Sequence, residues 1–451
     1  MITYSIIKKT QLEGAKRLDA EYYQPEYLLN SSKLEKFGFE TLQDLSTSNI
    51  TKGETPLWRG DSYFNTGVPF LRSENLIFAG VDLSRIVFVS EKVHERMKRS
   101  KILPNNVLLA IVGATIGHSG LVTDEYPEYN SNQAVAIIKP ENEKFSCYLS
   151  IVLETKFCQL QIERLKGGGA RDNLDLHEVR ILKIPKPNSG ILNYCLEQIH
   201  KIRKLQKQSQ SFYSQAENLL LEELGLKNFE NEGGLFSVVN LSEVKNANRM
   251  DAEYFDPKYN QLQKILKDVR CLSDVAERIT KRADIQPKSE YNYIEISDVN
   301  AGNGEITSNK ILGQYLPANA KIKVSGGELI VSKVRPTRGA IAIIPDNWNK
   351  DFVLSGAFSV FKIESPMREY LQVLLRSFVG KLQLEKPTTG TSYPTITDED
   401  VGNILIPILP KPTQQKIAEL AQKSHEARQK AKNLLEEAKQ KVEDLIENSG
   451  K

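Results

Sequence analysis

A long internal repeat constrains the architecture of this chain more than any other feature. The eleven residues RLDAEYYQPEY at Arg17–Tyr27 return as RMDAEYFDPKY at Arg249–Tyr259, and seven of the eleven positions are identical. The copies are offset by 232 residues (249 minus 17), about half of the 451-residue chain. Solenoid proteins repeat every 20–50 residues or so, so this spacing instead predicts two similar domains in tandem. Two similar domains suggest a target with two similar halves.

A second pairing extends the repeat beyond this short motif. The segments Tyr148–Pro185 and Tyr370–Pro407 align without a gap. They are separated by one constant offset of 222 residues (370 minus 148), which we call the closing offset. Identical residues recur within them at Leu160/Leu382, Gln161/Gln383, Glu163/Glu385, Val179/Val401 and Ile184/Ile406. We therefore expect each domain to close with the same structural elements.

The composition is that of an ordinary globular protein. Charged residues make up 26% and apolar residues 40% of the chain, and the net charge of +3 permits a nucleic-acid partner without requiring one. The four cysteines lack CxxC spacing, which predicts neither a disulfide framework nor a zinc site and fits a reducing cytoplasm. The sequence has no run of 18 apolar residues and no apolar leader, so we expect a cytoplasmic protein.

Apolar spacing predicts globules alternating with long helices. Short apolar runs predict strands at Val68–Leu71, Ile86–Val89, Val107–Ile111 and Ala134–Ile138, and helical spacing predicts one helix over Lys144–Leu165. Two uninterrupted segments, Gly190–Leu224 and Thr413–Ile446, carry apolar residues at 3/4 spacing, and the predicted seam of the second ends at Leu445. Each would form a rod of roughly 50 Å.

The two rods have matched lengths and narrow, alanine-rich seams, which favours pairing in an antiparallel coiled coil. The alternative is that each helix packs on its own globule. If the rods pair, the globules lie roughly 50 Å apart, or about 15 base pairs of duplex DNA. The predicted fold class is α+β, with two tandem mixed α/β domains at 1–190 and 227–412 and spacer helices at 191–226 and 413–451.

Motifs of catalysis are absent from the sequence. The segment GATIGHS at Gly113–Ser119 has three residues between its glycines and His118 where a phosphate-binding loop has lysine. Gly167–Gly169 lacks the spacing of a dinucleotide loop, and the histidines show no metal-ligand spacing. We therefore predict a non-catalytic chain with no catalytic and no metal-binding residues.

Three loops of the first half carry residues suited to DNA contact. Arginine can bind guanine and asparagine can bind adenine through two hydrogen bonds, and glycines let the backbone approach phosphates closely. The loops are KGETPLWRGDSYFNTG from Lys52, GATIGHS from Gly113, and KGGGARDN from Lys166. The candidate contacts are Lys52, Thr55, Trp58, Arg59, Arg72, Thr115, His118, Lys166, Arg171 and Asn173. The alternatives are that Trp58 and Tyr63 cap a local core and that GATIGHS is a tight turn needing its glycines.

The second half places different side chains in the corresponding loops. These are ITKRADIQPKSEYN, KVRPTRG and KPTTGTSYPT, of which KVRPTRG is the densest in Lys, Arg and Thr. The candidate contacts are Lys281, Arg282, Lys333, Arg335, Thr337, Arg338, Thr389, Ser392 and Tyr393. The alternative for KVRPTRG is a solvated cluster of charges. Shared position with divergent sequence is what two readers of different half-sites should show.

Three segments resemble the specificity subunits of type I restriction–modification systems. GETPLWRGDSYFNTGVPFLRSENL is similar to the opening of a target-recognition domain of that family. VLLAIVGATIGHSGLV with SNQAVAIIKP resembles its GATIG and NQ core, and GTSYPTITDEDVGNILIPILPKPTQQKIAEL resembles its closing segment. The similarity covers nearly the whole chain in the order domain, helix, domain, helix. The second domain departs from the pattern, with KVRPTRG and SGAFSV in place of GATIG and NQ.

The resemblance implies a non-catalytic subunit whose two target-recognition domains each read half of a bipartite double-stranded DNA target. The helices would set the gap and dock two methyltransferase subunits, and restriction subunits would join the complex. S-adenosylmethionine, ATP and magnesium would be bound by those partners and not by this chain. Two alternatives stay open: a coiled-coil scaffold that binds proteins only, and an enzyme fragment. The DAEY segments, with two aromatics and a proline, suggest packing on a globule or a partner and not DNA contact.

Overall fold

The chain forms two compact units, and each unit takes residues from both long helices. Unit 1 comprises residues 1–207 and 428–451, and unit 2 comprises residues 208–427. The structure, a computed structural model, describes residues 4–10, 12, 17–56, 60–83, 86–113, 115–166, 173–229, 236–348 and 351–448.

Two long helices, α6 and α13, stand among many short ones. The helices are α1 (Pro25–Phe37), α2 (Glu91–Arg96), α3 (Glu143–Val152), α4 (Lys156–Leu165), α5 (Leu176–Arg180), α6 (Ser189–Glu223), α7 (Leu241–Ala247), α8 (Pro257–Ile265), α9 (Leu272–Val275), α10 (Met367–Arg376), α11 (Phe378–Glu385), α12 (Asp398–Gly402) and α13 (Lys411–Asn448).

The strands are short in both units. Those of unit 1 are β1 (Phe39–Thr41), β2 (Thr51–Lys52), β3 (Val68–Leu71), β4 (Leu76–Ile77), β5 (Gly80–Val81), β6 (Val87–Val89), β7 (Val107–Ala110), β8 (Ser119–Leu121), β9 (Asn130–Ser131), β10 (Val135–Ile138) and β11 (Lys183–Pro185). Those of unit 2 are β12 (Val269–Cys271), β13 (Glu277–Arg278), β14 (Glu290–Ile294), β15 (Asn309–Leu312), β16 (Ala320–Val324), β17 (Leu329–Ser332), β18 (Ile341–Ile343), β19 (Phe352–Ser355), β20 (Phe358–Lys362) and β21 (Leu405–Pro407).

Both units are built on the same sheet plan. A four-stranded antiparallel sheet has the order β2-β10-β7-β8 in unit 1 and β13-β20-β17-β18 in unit 2. A second sheet, β6-β3-β9 or β15-β14-β19-β16, contains a parallel pair in each unit. The ends of each repeat are joined by a two-stranded sheet, β1-β11 or β12-β21. The duplication in sequence is therefore a duplication of topology.

The four-stranded sheet lies between two apolar layers. Successive side chains of a strand point to opposite faces. In β7, Val107 and Leu109 pack in the core that contains the helices, while Leu108 and Ala110 pack in a core shared with strand β3 of the second sheet. In β17 of unit 2, Leu329 packs in the core that contains the helices, while its neighbour Ile330 packs in the core on the opposite face of the sheet. This burial on both faces explains the continuous apolar runs of these strands.

The long helices pair in antiparallel fashion and also pack on the globules. In unit 1, Cys195 and Ile199 of α6 share a core with Leu435 and Ala438 of α13. In unit 2, later residues of α6 share a core with earlier residues of α13, as Ala216 does with Ile417. The predicted antiparallel coiled coil is confirmed, and the packing on globules that was its alternative occurs alongside it.

A pair of buried hydroxyls marks the middle of the paired helices. Ser209 of α6 and Ser424 of α13 have their Oγ atoms 3.0 Å apart, and Ser424 Oγ donates to the Ser209 carbonyl at 2.8 Å. The residues are 6% and 0% exposed. Because a shifted register would leave these hydroxyls without their buried partners, the pair specifies the register.

The repeated DAEY segments make matching contacts in the two units. Arg17 forms an ion pair with Asp19 and lies 4.6 Å over the Tyr22 ring. In unit 2, Arg249 forms the same ion pair with Asp251 and lies 4.7 Å over the Tyr254 ring. Arg164 Nε donates to the Tyr22 carbonyl at 2.8 Å and Arg249 Nη1 donates to the Pro387 carbonyl at 2.9 Å, so each segment packs against its own globule.

The closing segments of the repeats also make matching contacts. Tyr148 donates to the Pro185 carbonyl and Tyr370 to the Pro407 carbonyl, both at 2.6 Å. Both pairs of residues are related by the closing offset seen in the sequence. The offset therefore identifies residues that are structurally equivalent in the two units.

Two details of the sequence-based prediction are wrong. The helix expected over Lys144–Leu165 is broken into α3 and α4 at Thr155, whose ψ of 154° is extended, and the Lys156 N–H that begins α4 donates to Glu443 Oε1 at 2.7 Å. Leu445, expected in the seam of α13, is 37% exposed, and Val442 and Ile446 are buried instead. A straight helix drifts relative to a strict seven-residue spacing, so the buried stripe advances in steps of four here.

Within the described residues, the helices are too short or too polar to cross a lipid bilayer.

Candidate nucleic-acid interface

A tight turn follows β17 and carries three of the predicted contact residues. The 3-10 helix Pro336–Arg338 is bounded by Arg335 with φ +46° and Gly339 with φ +85°. A residue other than glycine in this left-handed region costs free energy and is common at functional sites. The turn therefore has one defined backbone conformation. We call residues 335–339 the unit 2 turn.

The unit 2 turn lies against the loop that contains Ser392 and Tyr393. The Arg335 N–H donates to the Pro394 carbonyl at 2.8 Å, and Arg335 Nη2 donates to the Ser392 carbonyl at 3.2 Å. The guanidinium lies 4.8 Å from the centroid of the Tyr393 ring, and Tyr393 is 60% exposed. The structure thus brings together Arg335, Ser392 and Tyr393 from two separately predicted loops as one cationic and aromatic surface.

Lys333, which precedes the unit 2 turn, forms an ion pair within the protein. Its Nζ lies 3.0 Å from Asp398, which also lies 3.5 Å from Arg278 and accepts a hydrogen bond from Ser359 Oγ at 2.5 Å. Burial alone would raise the pKa of Asp398, but the hydrogen bonds from Ser359 and Lys333 outweigh it and hold that pKa below its usual value. Lys333 therefore anchors the base of the turn.

The remaining predicted residues of unit 2 have varied surroundings. Arg338 is exposed and Thr337 is half-buried, while the Thr389 hydroxyl donates to the Thr395 carbonyl at 3.4 Å. Lys281 and Arg282 are exposed beside β16 of the second sheet, where Arg282 bridges Ile322. The structure therefore places these two basic residues on a different sheet from the unit 2 turn.

Unit 1 contains the same turn with other side chains. Gly113 and Gly117 are related to Arg335 and Gly339 by the closing offset, and they have φ values of +87° and +90°. Each turn contains an equivalent backbone hydrogen bond. The Ala110 N–H donates to the His118 carbonyl at 2.9 Å in unit 1, and the Ser332 N–H donates to the Ala340 carbonyl at 3.0 Å in unit 2. Both glycines of GATIGHS thus adopt the left-handed conformation that the alternative of a tight turn predicts. We call Gly113 together with residues 115–119 the unit 1 turn.

The neighbour of each turn is also equivalent. Asn173 bridges Val112 in unit 1 as Thr395 bridges Val334 in unit 2, and the closing offset relates the two pairs. Asn173 therefore occupies in unit 1 the place that Thr395 occupies in unit 2. The two turns, each with this bridging neighbour, form one scaffold that is used twice.

The predicted contacts around the unit 1 turn differ in exposure. His118 and Asn173 are exposed, and Thr115 is half-buried. Lys166 pairs with Glu163 at 2.5 Å, one turn earlier on α4. The predicted contact Arg171 lies outside the described residues.

The first predicted loop begins with a close approach of two backbones. A Cβ at Gly53 would lie 2.0 Å from the Ser131 carbonyl oxygen, so glycine is required there. Next to it, Thr55 Oγ1 lies 3.2 Å from Gln133 Oε1, while Lys52 is exposed at the end of β2. The loop start and Gln133 of the NQ segment therefore belong to one surface.

Two further residues, Tyr63 in this loop and Arg72 after it, make contacts within unit 1. Trp58 and Arg59 lie outside the described residues. Tyr63 packs with its ring centroid 5.3 Å from that of Phe70, which fits the alternative of a core-capping residue. Arg72 pairs with Glu74 at 2.8 Å.

The sequence analysis did not identify two buried or half-buried residues whose side chains hydrogen-bond to the backbone of the turns. Glu154 accepts a hydrogen bond from the Ser119 N–H at 2.6 Å, and Arg376 donates to the Gly339 and Ile341 carbonyls, both at 3.0 Å. Burial raises the pKa of Glu154. The closing offset pairs these two positions, which carry opposite charges, and this is a signal that the sequence contained.

The described residues contain no cluster of three or more His, Cys, Asp or Glu side chains that could hold a metal ion.

Comparison with known proteins identifies the family. The model of the type I restriction modification DNA specificity domain matches residues 35–228 and 265–439. The EcoBI specificity subunit of Escherichia coli is 27% identical over 178 residues, which cover 38% of this chain and 36% of that protein. The HindI specificity subunit of Haemophilus influenzae is 25% identical over 159 residues, which cover 33% of each chain. The matched region thus spans about a third of the length of these curated relatives.

Solved structures of low similarity were also found. The S subunit of a type I restriction–modification system from M. genitalium is 11% identical with a TM-score of 0.37, covering 91% of this chain and 95% of that chain. The HsdS subunit of Thermoanaerobacter tengcongensis is 13% identical with a TM-score of 0.27, covering 91% and 96%. Superposition this poor carries no argument, so the assignment rests on the family match, which covers most of the chain in two copies. The chain belongs to the family of type I restriction modification DNA specificity domains.

Proposed function

We propose that this chain is the DNA-specificity subunit of a type I restriction–modification complex, in which each domain reads one half of a bipartite target. Residues 1–190 and 227–412 would be the target-recognition domains, and residues 191–226 and 413–451 the spacer helices. The observation that carries the proposal is the pair of equivalent turns with different side chains. A shared scaffold with divergent loops suits two readers of different half-sites.

The chemistry of the unit 2 turn fits the reading of a base edge. Arginine can bind the O6 and N7 atoms of guanine with two hydrogen bonds, and its planar side chain stacks on an aromatic ring. Arg335 is stacked on Tyr393, which limits its freedom before DNA arrives. Because less side-chain entropy is then lost on binding, we propose Arg335 as a base contact. Arg338 and Tyr393 would contact the neighbouring base or phosphate.

In the unit 1 turn we propose His118 and Thr115 as the contact residues, with Asn173 beside them. Both His118 and Asn173 are exposed. Asparagine can bind adenine through two hydrogen bonds, whereas arginine prefers guanine. The two half-sites should therefore differ in base composition. The other predicted contacts stay predictions.

The spacer helices would fix the distance between the half-sites and contribute to partner docking. The buried Ser209–Ser424 pair supports a single register of the helices. We further propose that two methyltransferase subunits bind one copy of a repeated apolar surface each. Exposed apolar side chains recur at the offset that relates the two DAEY segments, as Tyr4/Phe236, Ile6/Val238 and Leu18/Met250, all 79–91% exposed. An equivalent surface in each unit would bind the same partner twice.

Catalysis is assigned in this proposal to the partners. S-adenosylmethionine would be used by the methyltransferase subunits, and ATP and magnesium by restriction subunits that join the complex. The chain itself would bind none of these cofactors.

Binding of duplex DNA at several salt concentrations tests this proposal against a scaffold that binds proteins only. The chain would be purified together with its methyltransferase and titrated with fluorescent duplexes of random sequence. We expect the logarithm of the binding constant to fall linearly with the logarithm of salt concentration, because phosphate contacts release counterions. An intact complex that binds no DNA at low salt would contradict the proposal and favour the scaffold.

A further inference from the structure

The turns that we propose as DNA readers are each held by one charged residue at the end of a helix. Glu154 lies just after the end of α3 in unit 1, and Arg376 is the last residue of α10 in unit 2. The two positions are related by the closing offset. They occupy equivalent places in the repeat and carry opposite charges.

In unit 1 the turn is held by a hydrogen bond from a backbone N–H to a carboxylate. Glu154 Oε1 accepts from the Ser119 N–H at 2.6 Å, at the end of the unit 1 turn. Further along the chain, Gln159 Nε2 donates to the Gly117 carbonyl at 3.0 Å. Gln159 also lies so near Gly117 that a Cβ there would meet its Oε1 at 2.8 Å. The end of the turn is thus held from two sides.

In unit 2 the turn is held by hydrogen bonds from a guanidinium to backbone carbonyls. Arg376 is 7% exposed, and its Nη1 donates to the carbonyls of Gly339 and Ile341, both at 3.0 Å. Ile341 is the repeat equivalent of Ser119. The same backbone residue is therefore held in both units, through its N–H in one and through its carbonyl in the other.

Arg376 also connects the unit 2 turn to two other parts of unit 2. Its Nη2 donates to the Ala301 carbonyl at 3.1 Å, and its Nε donates to the Tyr213 hydroxyl of α6 at 3.1 Å. The five N–H donors of arginine form a rigid fork, so these acceptors are held in one fixed arrangement. The turn is thereby tied to the segment around Ala301 and to a spacer helix.

We propose that Glu154 and Arg376 are positioning residues for target reading, each of which fixes the turn of its own unit in the geometry that reads one half-site. This inference rests on the proposed function. The residues contact the backbone of the turn from within the protein and are not themselves base contacts. An error of about 1 Å in the placement of a contact residue is enough to lose a directional hydrogen bond, so loosening the turn should relax base preference.

Selection from randomised duplex DNA with the full chain and its methyltransferase tests the inference. For the unaltered chain, the proposed function predicts two fixed motifs. Glu154→Ala should lower the preference for the correct bases about tenfold in one motif, as loss of roughly 1.4 kcal/mol would. Glu154→Gln keeps an acceptor oxygen for the Ser119 N–H and should restore the preference. Arg376→Gln should affect the other motif only.

The outcomes separate the inference from the proposed function. If the unaltered chain selects no two-part motif, the proposed function fails, and the inference fails with it. If the unaltered chain selects two motifs and folded Glu154→Ala and Arg376→Gln retain both preferences, the inference alone is overturned. Equal loss at both motifs would also overturn it, since a general loss of folding has that effect.

Two further variants keep the test decisive if Arg376→Gln does not fold. Glu154 is only partly buried, so its alanine variant should fold and suffices by itself to overturn the inference. Arg376→Lys retains the charge but cannot reach all of the acceptors with one fork. It should relax the same motif that Arg376→Gln relaxes, with thermal stability measured in parallel.

Discussion

Arg335 combines an unusual backbone conformation with a stacked side chain. Its φ of +46° lies in the left-handed region, where a side chain costs roughly 1 kcal/mol or more. Its equivalent in unit 1 is Gly113, which adopts that region without this cost. The N–H of Arg335 bonds Pro394 and its guanidinium stacks on Tyr393, so surrounding contacts stabilise the conformation. Retaining arginine at a position that suits glycine points to a role for the side chain.

Replacing Arg335 or Arg338 with alanine should relax the reading of one half-site and leave the other intact. The physical reason is that both residues belong to the unit 2 turn, whereas unit 1 has its own turn. Loss of one two-bond base contact should cost about 1–3 kcal/mol of discrimination. The measurement is the affinity for duplexes altered in one half-site at a time. Equal losses in both half-sites would contradict reading by separate domains.

Asp398 predicts a pH dependence of stability for unit 2. Its pKa is below the ordinary value, so ionised Asp398 favours the folded state. The stability that it contributes is present above about pH 4. It is lost as the pH falls through the lowered folded-state pKa. Asp398→Asn should therefore be less stable than the unaltered chain at neutral pH, and the difference should shrink in acid.

Urea unfolding of both proteins between neutral pH and the acid range measures this difference. Asp124→Asn is a matched control, because the Asp124 side chain is 81% exposed. The control should show little change at any pH. A difference for Asp398→Asn that grows in acid would contradict the assignment.

At the scale of single elements, strands were more predictable than helix ends. The expected strand at Val68–Leu71 matches β3, and that at Val107–Ile111 exceeds β7 by one residue, because apolar runs buried on both faces are visible in a local window. The break between α3 and α4 was not predicted, and the first N–H of α4 bonds to Glu443, which is distant in sequence but adjacent in space. The grip of Arg376 on the unit 2 turn is non-local in the same way. Which loops meet is likewise a tertiary property.

The paired helices allow a direct test of the spacing role. Four residues would be inserted into both helices, between Ser209 and Gln210 in α6 and between Lys423 and Ser424 in α13. The insertion adds about 6 Å to each helix, or roughly two base pairs. We expect the selected gap to lengthen by about that amount while both half-site motifs stay the same.

Insertion into α6 alone is the control for the paired insertion. It moves Ser209 out of register with Ser424 and should lower the melting temperature of the protein. An unchanged gap after the paired insertion would contradict the role of the helices as a spacer.

At the scale of the whole molecule, duplication governs both the predictable and the unpredictable parts. The repeat in the sequence predicted two domains, and the sheets, ion pairs and turns of the two units follow it. The side chains on the turns differ between the units, so the repeat says where reading would occur and not which bases are read. Residues such as Trp58 lie outside the described part of the chain, and their role stays a prediction.

The repeated apolar surface predicts the number of bound partners. Ile6→Asp or Val238→Asp places a charge in one copy of the surface and should reduce the methyltransferase subunits per chain from about two to one, because burying an unpaired charge is unfavourable. Mass measurement of the purified complex by light scattering gives this ratio. Lys227→Asp, at an exposed position outside the repeated surface, is the control and should retain two partners. Two partners in either apolar-site variant would place the docking surface elsewhere.

The most direct test of the central claim is a selection of target sequences from randomised duplex DNA by the full chain bound to its methyltransferase. The account predicts two short fixed motifs of different base composition, separated by an unspecified gap of constant length. The two motifs would correspond to the two turns, and the constant gap to the paired helices. A single continuous motif, or no enrichment from a well-formed complex, would contradict the account.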